Sequence, residues 1–139
     1  MVVLLDTGFI LALRNEDDTN FQHAQEIMRN RLIKEEYGRI LVTDYVFDEV
    51  MTLILVRIKD KKFMRETKQF LLETKRVLSL RIPDEAFWKT VDLFSKYFDQ
   101  GLSFTDCTFL SLADSFSFKT YIATFGRKLA KFVTNVVQQ

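Results

Sequence analysis

Cysteine is nearly absent from this 139-residue chain: Cys107 stands alone. A single thiol cannot close an internal disulfide or build a thiolate zinc centre, and it suits a reducing compartment. Histidine is equally scarce. His23 is the only one, and it has none of the sequence context that a Ser-His-Asp site requires. Proline occurs once and glycine four times. Linkers and low-complexity tracts are missing, and no internal repeat is present. Net charge is missing as well, since 20 Lys and Arg against 19 Asp and Glu leave +1. Bulk charge therefore points neither to nucleic acid nor to a membrane surface, and any such case must rest on where the charges sit. The apolar stretch before Asp6 is five residues long, too short for a signal peptide or a membrane span. A cytoplasmic location is the expectation.

What the chain does have is apolar mass. Hydrophobic residues make up 47% of it. Its length suits one domain, residues 1–139, that buries roughly 68% of its unfolded surface. Residues 2–5 form a continuous apolar run, the mark of a strand buried on both faces as in a parallel sheet. A short helix is expected over residues 9–13 and a longer one over 21–37, where Phe21, Ala24, Ile27, Met28 and Leu32 recur at helical spacing. Residues 39–42 read as a second strand. Residues 44–58 are apolar nearly all round and read as a buried helix, with Asp44 as its N-cap. A charged helix over 60–74, a strand over 77–82 and a helix over 83–97 follow. The aromatic residues Phe87, Trp88, Phe94, Tyr97 and Phe98 read as core. A helix over 105–116, a strand over 120–123 and an edge strand within 132–137 complete the chain. Cys107 is expected to pack as a small apolar group. This alternation predicts an α/β fold, a three-layer α/β/α sandwich around a mostly parallel sheet of four to five strands.

Three acids hold equivalent places in that layout. Asp6 ends the first strand, Glu49 lies early in the helix after the second, and Asp106 opens the helix before the fourth. Ligands of open α/β sheets sit outside the carboxyl ends of the strands. Converging carboxylates repel and raise one another's pKa. A divalent ion with oxygen preference, such as Mg²⁺, removes that penalty, and water on such an ion is a ready nucleophile toward a phosphodiester. Each acid also has a plainer reading. Asp6 could cap the next helix, and Asp106 could complete a Ser103-x-x-Asp106 capping box. Glu49 is the most telling, because Val46, Phe47, Val50, Met51, Leu53 and Ile54 make its helix a core element. Asp48 lies about 100° around that helix, so only one of the pair is expected to face the site.

Four segments in order carry a resemblance: Leu4-Leu5-Asp6-Thr7-Gly8-Phe9, Val42-Thr43-Asp44-Tyr45-Val46-Phe47-Asp48-Glu49-Val50, Leu102-Ser103-Phe104-Thr105-Asp106-Cys107 and Tyr121-Ile122-Ala123-Thr124-Phe125. Together they resemble the motif blocks of PIN-domain proteins, most closely the VapC toxin ribonucleases of VapBC toxin–antitoxin pairs. The resemblance spans essentially the whole chain. It implies a Mg²⁺- or Mn²⁺-dependent endoribonuclease that works as a homodimer with RNA as substrate and an antitoxin as partner. Asp6, Glu49 and Asp106 would hold the metal. Thr7 and Thr105 would brace these acids or touch a substrate phosphate, and Thr124 would shape the floor of the site. The chain departs from the pattern once. The last block normally reads Thr-x-Asp, and here it reads Thr124-Phe125-Gly126. Asp114 lies about 12 Å along a helix from Asp106 and some 80° around it, a poor substitute. One metal is therefore expected to bind and a second weakly or not at all. A weakened PIN domain that binds RNA or protein is the alternative.

Charge placement now matters. Residues 57–68 carry a local excess of four positive charges, with a solvated helix face as the plainer reading. Arg127 and Lys128, just after the last block, are expected to contact substrate phosphate. Glu16, Asp17 and Asp18 read as a solvated loop.

Overall fold

A computed structural model describes residues 1–137. Gln138 and Gln139, the last residues of the expected domain, lie outside the described residues. The elements run β1 (Val2–Leu5), α1 (Thr7–Arg14), α2 (Phe21–Ile27), β2 (Arg39–Thr43), α3 (Asp44–Leu53), α4 (Lys61–Glu73), β3 (Val77–Leu80), α5 (Asp84–Lys96), α6 (Phe104–Ser115), β4 (Thr120–Ala123), α7 (Arg127–Ala130) and β5 (Val136–Val137). The five strands form one sheet in the order β3-β2-β1-β4-β5, and every pairing is parallel. β1 lies at the centre with all four residues buried, which explains its unbroken apolar run. The principal helix contacts link α1 with α2 and α3, and α3 with α4. A separate set pairs α5 with α6. With this strand order, the right-handed rule for parallel crossovers puts these sets on opposite faces of the sheet. The α/β sandwich is thus as expected, with the sheet wholly parallel.

Boundaries differ from expectation for local reasons. α1 begins two residues early, at Thr7, because the Asp6 carboxylate accepts from the Phe9 amide at 2.7 Å and caps the turn. The second helix stops well short of residue 37. It widens into a π-helical turn, Met28–Leu32, and Glu35 then turns left-handed at φ 59°. α3 similarly ends in a π-helical turn, Ile54–Ile58, before left-handed Lys59. That segment is not buried all round. Val46, Val50 and Ile54 face the core at four-residue spacing, whereas Leu55 is 74% exposed and Val56 58%. The N-cap of α3 is Thr43, whose hydroxyl accepts from the Val46 amide at 3.2 Å. Asp44 instead accepts from the Ile82 amide at 3.1 Å. This bond takes that donor beyond the end of β3. In α5 the core-facing residues are Ala86 and Thr90, and Trp88 and Phe98 stand 65% exposed rather than in the core. The last strand shrinks to two residues, paired with Ile122 and Ala123. Cys107 is fully buried, as expected.

Candidate active site

The chain leaves β1 toward β2 on one side and reaches β4 on the other, so the strand order switches between β1 and β4. A crevice outside the carboxyl ends of the strands belongs at such a point. An open cleft of about 400 Å³ lies there, with Asp6, Glu49 and Asp106 in its wall. Asp6 arrives from the end of β1, Glu49 from the second turn of α3, and Asp106 from the first turn of α6. Asp48, next to Glu49, is exposed and lines no part of the cleft. The two adjacent acids therefore separate as helix geometry requires.

The plainer readings of Asp6 and Asp106 hold as well, and they explain how the acids are aimed. Asp6 Oδ1 accepts the α1 capping bond from Phe9, while the Thr124 hydroxyl donates to Asp6 Oδ2. Thr124 Oγ1 in turn accepts from the Gly126 amide at 2.9 Å. Asp106 closes a capping box. Its amide donates to Ser103 Oγ at 2.9 Å, and its Oδ2 accepts from the Ser103 amide at 3.0 Å. Its second oxygen is left for the cleft. Both carboxylates are thus held by helix starts, where backbone N–H groups favour negative charge.

Burial sets the electrostatics. Asp6 is only 9% exposed, and desolvation lifts its pKa from 3.8 to about 6. The bonds from Thr124 and Phe9 oppose this rise, and the neighbouring charges of Asp106 and Glu49 add to it. Asp106 is also pushed up, first by burial and then by Glu49; Ser103 and Lys128 pull it back. Three carboxylates therefore feel one another across a partly dry cleft. Thr7 Oγ1, also in the cleft wall, is buried and has no hydrogen-bond partner among the described residues.

These features fit a divalent cation: the donors are all oxygen, no basic side chain lines the cleft beside the three carboxylates, and one buried hydroxyl is orphaned. Among the described residues, no three acidic or thiol or imidazole groups close on one point. The arrangement suits an ion that keeps part of its water shell rather than a tight protein cage. Position 126 does face the acids. A Cβ there would meet Thr124 Oγ1 at 3.2 Å and Asp6 Oδ2 at 4.0 Å. Glycine leaves that spot without a carboxylate. Asp114 is turned elsewhere and ion-pairs with Lys89.

Of the other expected residues, Thr105 lines the cleft and is buried, and Thr124 lies beneath Asp6. Arg127 and Lys128 are exposed on α7 and outside the cleft wall. None of the basic residues within 57–68 lines it. Asp18 and Asn20 were not anticipated. Of the loop that read as solvated, Glu16 and Asp17 are exposed, while Asp18 joins the cleft wall with Asn20, whose amide donates to Asp18 Oδ1 at 2.8 Å. No spacing rule marks such a loop; only its Asx-turn residues hint at order. Phe125 also joins the wall, stacked on Phe9 at 5.5 Å and tilted against His23 at 5.3 Å. A second cleft of about 430 Å³ lies beside α5, α6 and β4, but its one acid, Asp114, is already paired. Chemistry rather than size favours the acidic cleft.

An all-parallel sheet with three acids in a cleft at its switch point defines the class as an α/β sandwich with an acidic crevice. The sequence profile of the PIN domain matches residues 3–134, and the chain belongs to the PIN-domain family. No curated protein matches it in sequence. Among solved structures, its fold is similar to VapC20 of Mycobacterium tuberculosis, a sarcin-ricin-loop-cleaving toxin. The TM-score is 0.80 at 15% identity, covering 94% of each chain. It also resembles VapBC2 of Rickettsia felis, bound to a DNA fragment from the promoter, with TM-score 0.64, 14% identity and coverage of 99% and 98%. FitAcB of Neisseria gonorrhoeae is similar at TM-score 0.65 and 12% identity, covering 98% and 96%.

Proposed function

We propose that this protein is a divalent-metal-dependent endoribonuclease, the toxin of a toxin–antitoxin pair. The observation that carries this reading is the meeting of Asp6, Glu49 and Asp106 in one cleft at the switch point of a PIN fold. The similarity to VapC20, a toxin that cleaves the sarcin-ricin loop, supports RNA as the substrate. The antitoxin partner is supported by the VapBC2 and FitAcB assemblies.

In this reading Asp6, Glu49 and Asp106 hold Mg²⁺ or Mn²⁺. When bound, such an ion supplies Lewis-acid activation of water for in-line attack on a phosphodiester. Thr124 keeps Asp6 Oδ2 in place, and Ser103 does the same for Asp106. Thr7 and Thr105, both in the cleft wall, would brace the acids or bind a phosphate oxygen of the substrate. Arg127 and Lys128 neutralise the RNA backbone. Exposed Leu55, Val56, Trp88 and Phe98 leave apolar surface for a homodimer and an antitoxin. Among the described residues, no helix is long and apolar enough to cross a membrane. The proposed setting is the cytoplasm.

A second reading has one observation in its favour. Gly126 leaves no fourth carboxylate beside Asp6, so the domain could serve as a weakened nuclease that binds RNA or protein. Purified protein and its Asp6→Asn variant, incubated with structured RNA and Mg²⁺, separate the two. The nuclease reading expects cleavage to fall at least about a hundredfold in the variant. Equal rates in both preparations would leave only the binding module.

A further inference from the structure

Asp18 and Asn20 complete the cleft wall from a segment that supplies none of the three acids, the loop between α1 and α2. Both are half-buried, whereas Asp17 and Thr19 are exposed. The loop is knit by its own turns. The Asp18 amide donates to the Asn15 carbonyl at 3.0 Å, and the Phe21 amide donates to the Asp18 carbonyl at 3.0 Å. The Asn20 amide donates to Asp18 Oδ1 at 2.8 Å. Gln25 then ties α2 back to the Leu13 carbonyl at 2.7 Å. The Asp18 carboxylate is thereby fixed in direction, with Oδ2 outside the turn bond. Among the described residues it joins no ion pair, and the Asn20 side chain makes no capping bond to α2. Phe125 borders the same cleft, half-buried and backed by Phe9. Phe109, the other ring in the wall, is fully buried. No basic side chain lines the cleft.

A carboxylate held in the wall of an RNA cleft repels phosphate, so Asp18 must face a part of the substrate that donates hydrogen bonds. An ionised carboxylate only accepts, whereas a carboxamide both donates and accepts. On its Watson–Crick edge guanine carries two adjacent donors, N2–H and N1–H, followed by the acceptor O6. Adenine, cytosine and uracil each offer a single donor group there. Bases of single-stranded RNA are read on that edge and against aromatic rings. We propose that Asp18 and Asn20 read a guanine next to the scissile phosphate. Asp18 accepts from N1–H and N2–H, the Asn20 carboxamide donates to O6, and Phe125 lies against the base. The place of that guanine in a cut strand rests on the nuclease reading; the base site itself stands on the cleft wall.

The probes are the four nucleoside 5′-monophosphates, which hold a base and a phosphate but no diester to cut. Calorimetric titration of the whole protein in Mg²⁺ is expected to show guanosine monophosphate bound about tenfold more tightly than the other three, the discrimination of one bidentate contact. Asp18→Asn keeps an oxygen for the Asn20 amide, and so the turn, but sets a donor against the donors of guanine. The preference should disappear. Asn20→Ala should weaken guanosine monophosphate more than the other three. Asp17→Asn removes the same charge from the exposed neighbour and should leave the preference intact. Mn²⁺ affinity should be equal in the parent, Asp18→Asn and Asp17→Asn. In cleavage of single-stranded RNA, the mapped ends should lie beside guanine for the parent and spread to other bases for Asp18→Asn, with KM raised more than kcat is lowered. Four results would overturn the proposal: no guanine preference in the parent, a preference that survives Asp18→Asn, an equal loss for all four nucleotides, as a ribose contact would give, or Mn²⁺ binding weakened by Asp18→Asn alone, as an ion ligand would give. A guanine preference that Asp18→Asn abolishes, in a protein that cleaves no RNA, would overturn the nuclease reading and keep the base site.

Discussion

Asp6 carries opposing demands in one side chain. It caps α1, accepts from Thr124 and stands 9% exposed among like charges. Its folded pKa, about 6, lies above its ordinary 3.8. The folded state therefore holds this proton more tightly than the unfolded state. Asp6 costs nothing below about pH 4, and stability is lost as pH rises from there through about 6. The loss is about 2–3 kcal/mol, from roughly two pK units. Asp6→Asn should remove that slope. Chemical denaturation of the metal-free proteins between pH 4 and 7 is expected to show the variant more stable at pH 7, with the gap closing toward pH 4. Gly126 presents the reverse case. Its φ of −73° suits any residue, and its missing Cβ points at Asp6. Gly126→Asp should strengthen Mn²⁺ binding about tenfold or add a second site, read by calorimetry. It should also lower the metal-free melting temperature at pH 7, since it adds one more like charge.

At the scale of elements, two helix starts aim two acids. The capping box of α6 shows how a stabilising device and a functional one share atoms, because Asp106 Oδ2 accepts from the Ser103 amide while its other oxygen is left for the cleft. Ser103→Ala removes the hydroxyl that the Asp106 amide donates to. The expected cost is about 1 kcal/mol in denaturant unfolding. A larger fractional loss in RNA cleavage is expected than at an exposed cap elsewhere, such as Asp60→Ala at α4, whose carboxylate accepts from Phe63 outside the cleft. Much of this was legible in the chain. Val2–Leu5 could only be a strand buried on both faces, and Asp6 had to fall at its end. The π-helical turns at Met28–Leu32 and Ile54–Ile58 were not legible. Helical periodicity does not distinguish a widened turn from a regular one when the apolar positions remain nearly in phase.

For the whole molecule, the metal-free state keeps several acids close at a cost in repulsion and desolvation. Binding an ion to the folded state alone should recover it. Mn²⁺ at a hundred times its Kd is expected to stabilise the parent protein by about 2.7 kcal/mol, seen as a rise in melting temperature. Asp6→Asn should show little of that rise. The order β3-β2-β1-β4-β5 makes the cleft possible, since only there do β1, β4 and the start of α6 bring Asp6, Thr124 and Asp106 within reach.

The sequence by itself determined the alternation of strands and helices, the three acids at strand ends and helix starts, and the missing acid at residue 126. The first two follow from local rules, since apolar runs and capping chemistry act over a few residues, and the third from the resemblance of the motif blocks to those of PIN-domain proteins. Only the tertiary structure decided that Asp18 joins the cleft wall, that Trp88 and Phe98 face solvent, and that Lys128 lies over Gly101. Each of these joins segments distant in the chain or sets one face of a helix against a neighbour. Spacing along the sequence carries no record of that distance. The near-zero net charge is the same kind of case: a sum over the chain cannot show three carboxylates gathered in one cleft whose wall holds no basic residue.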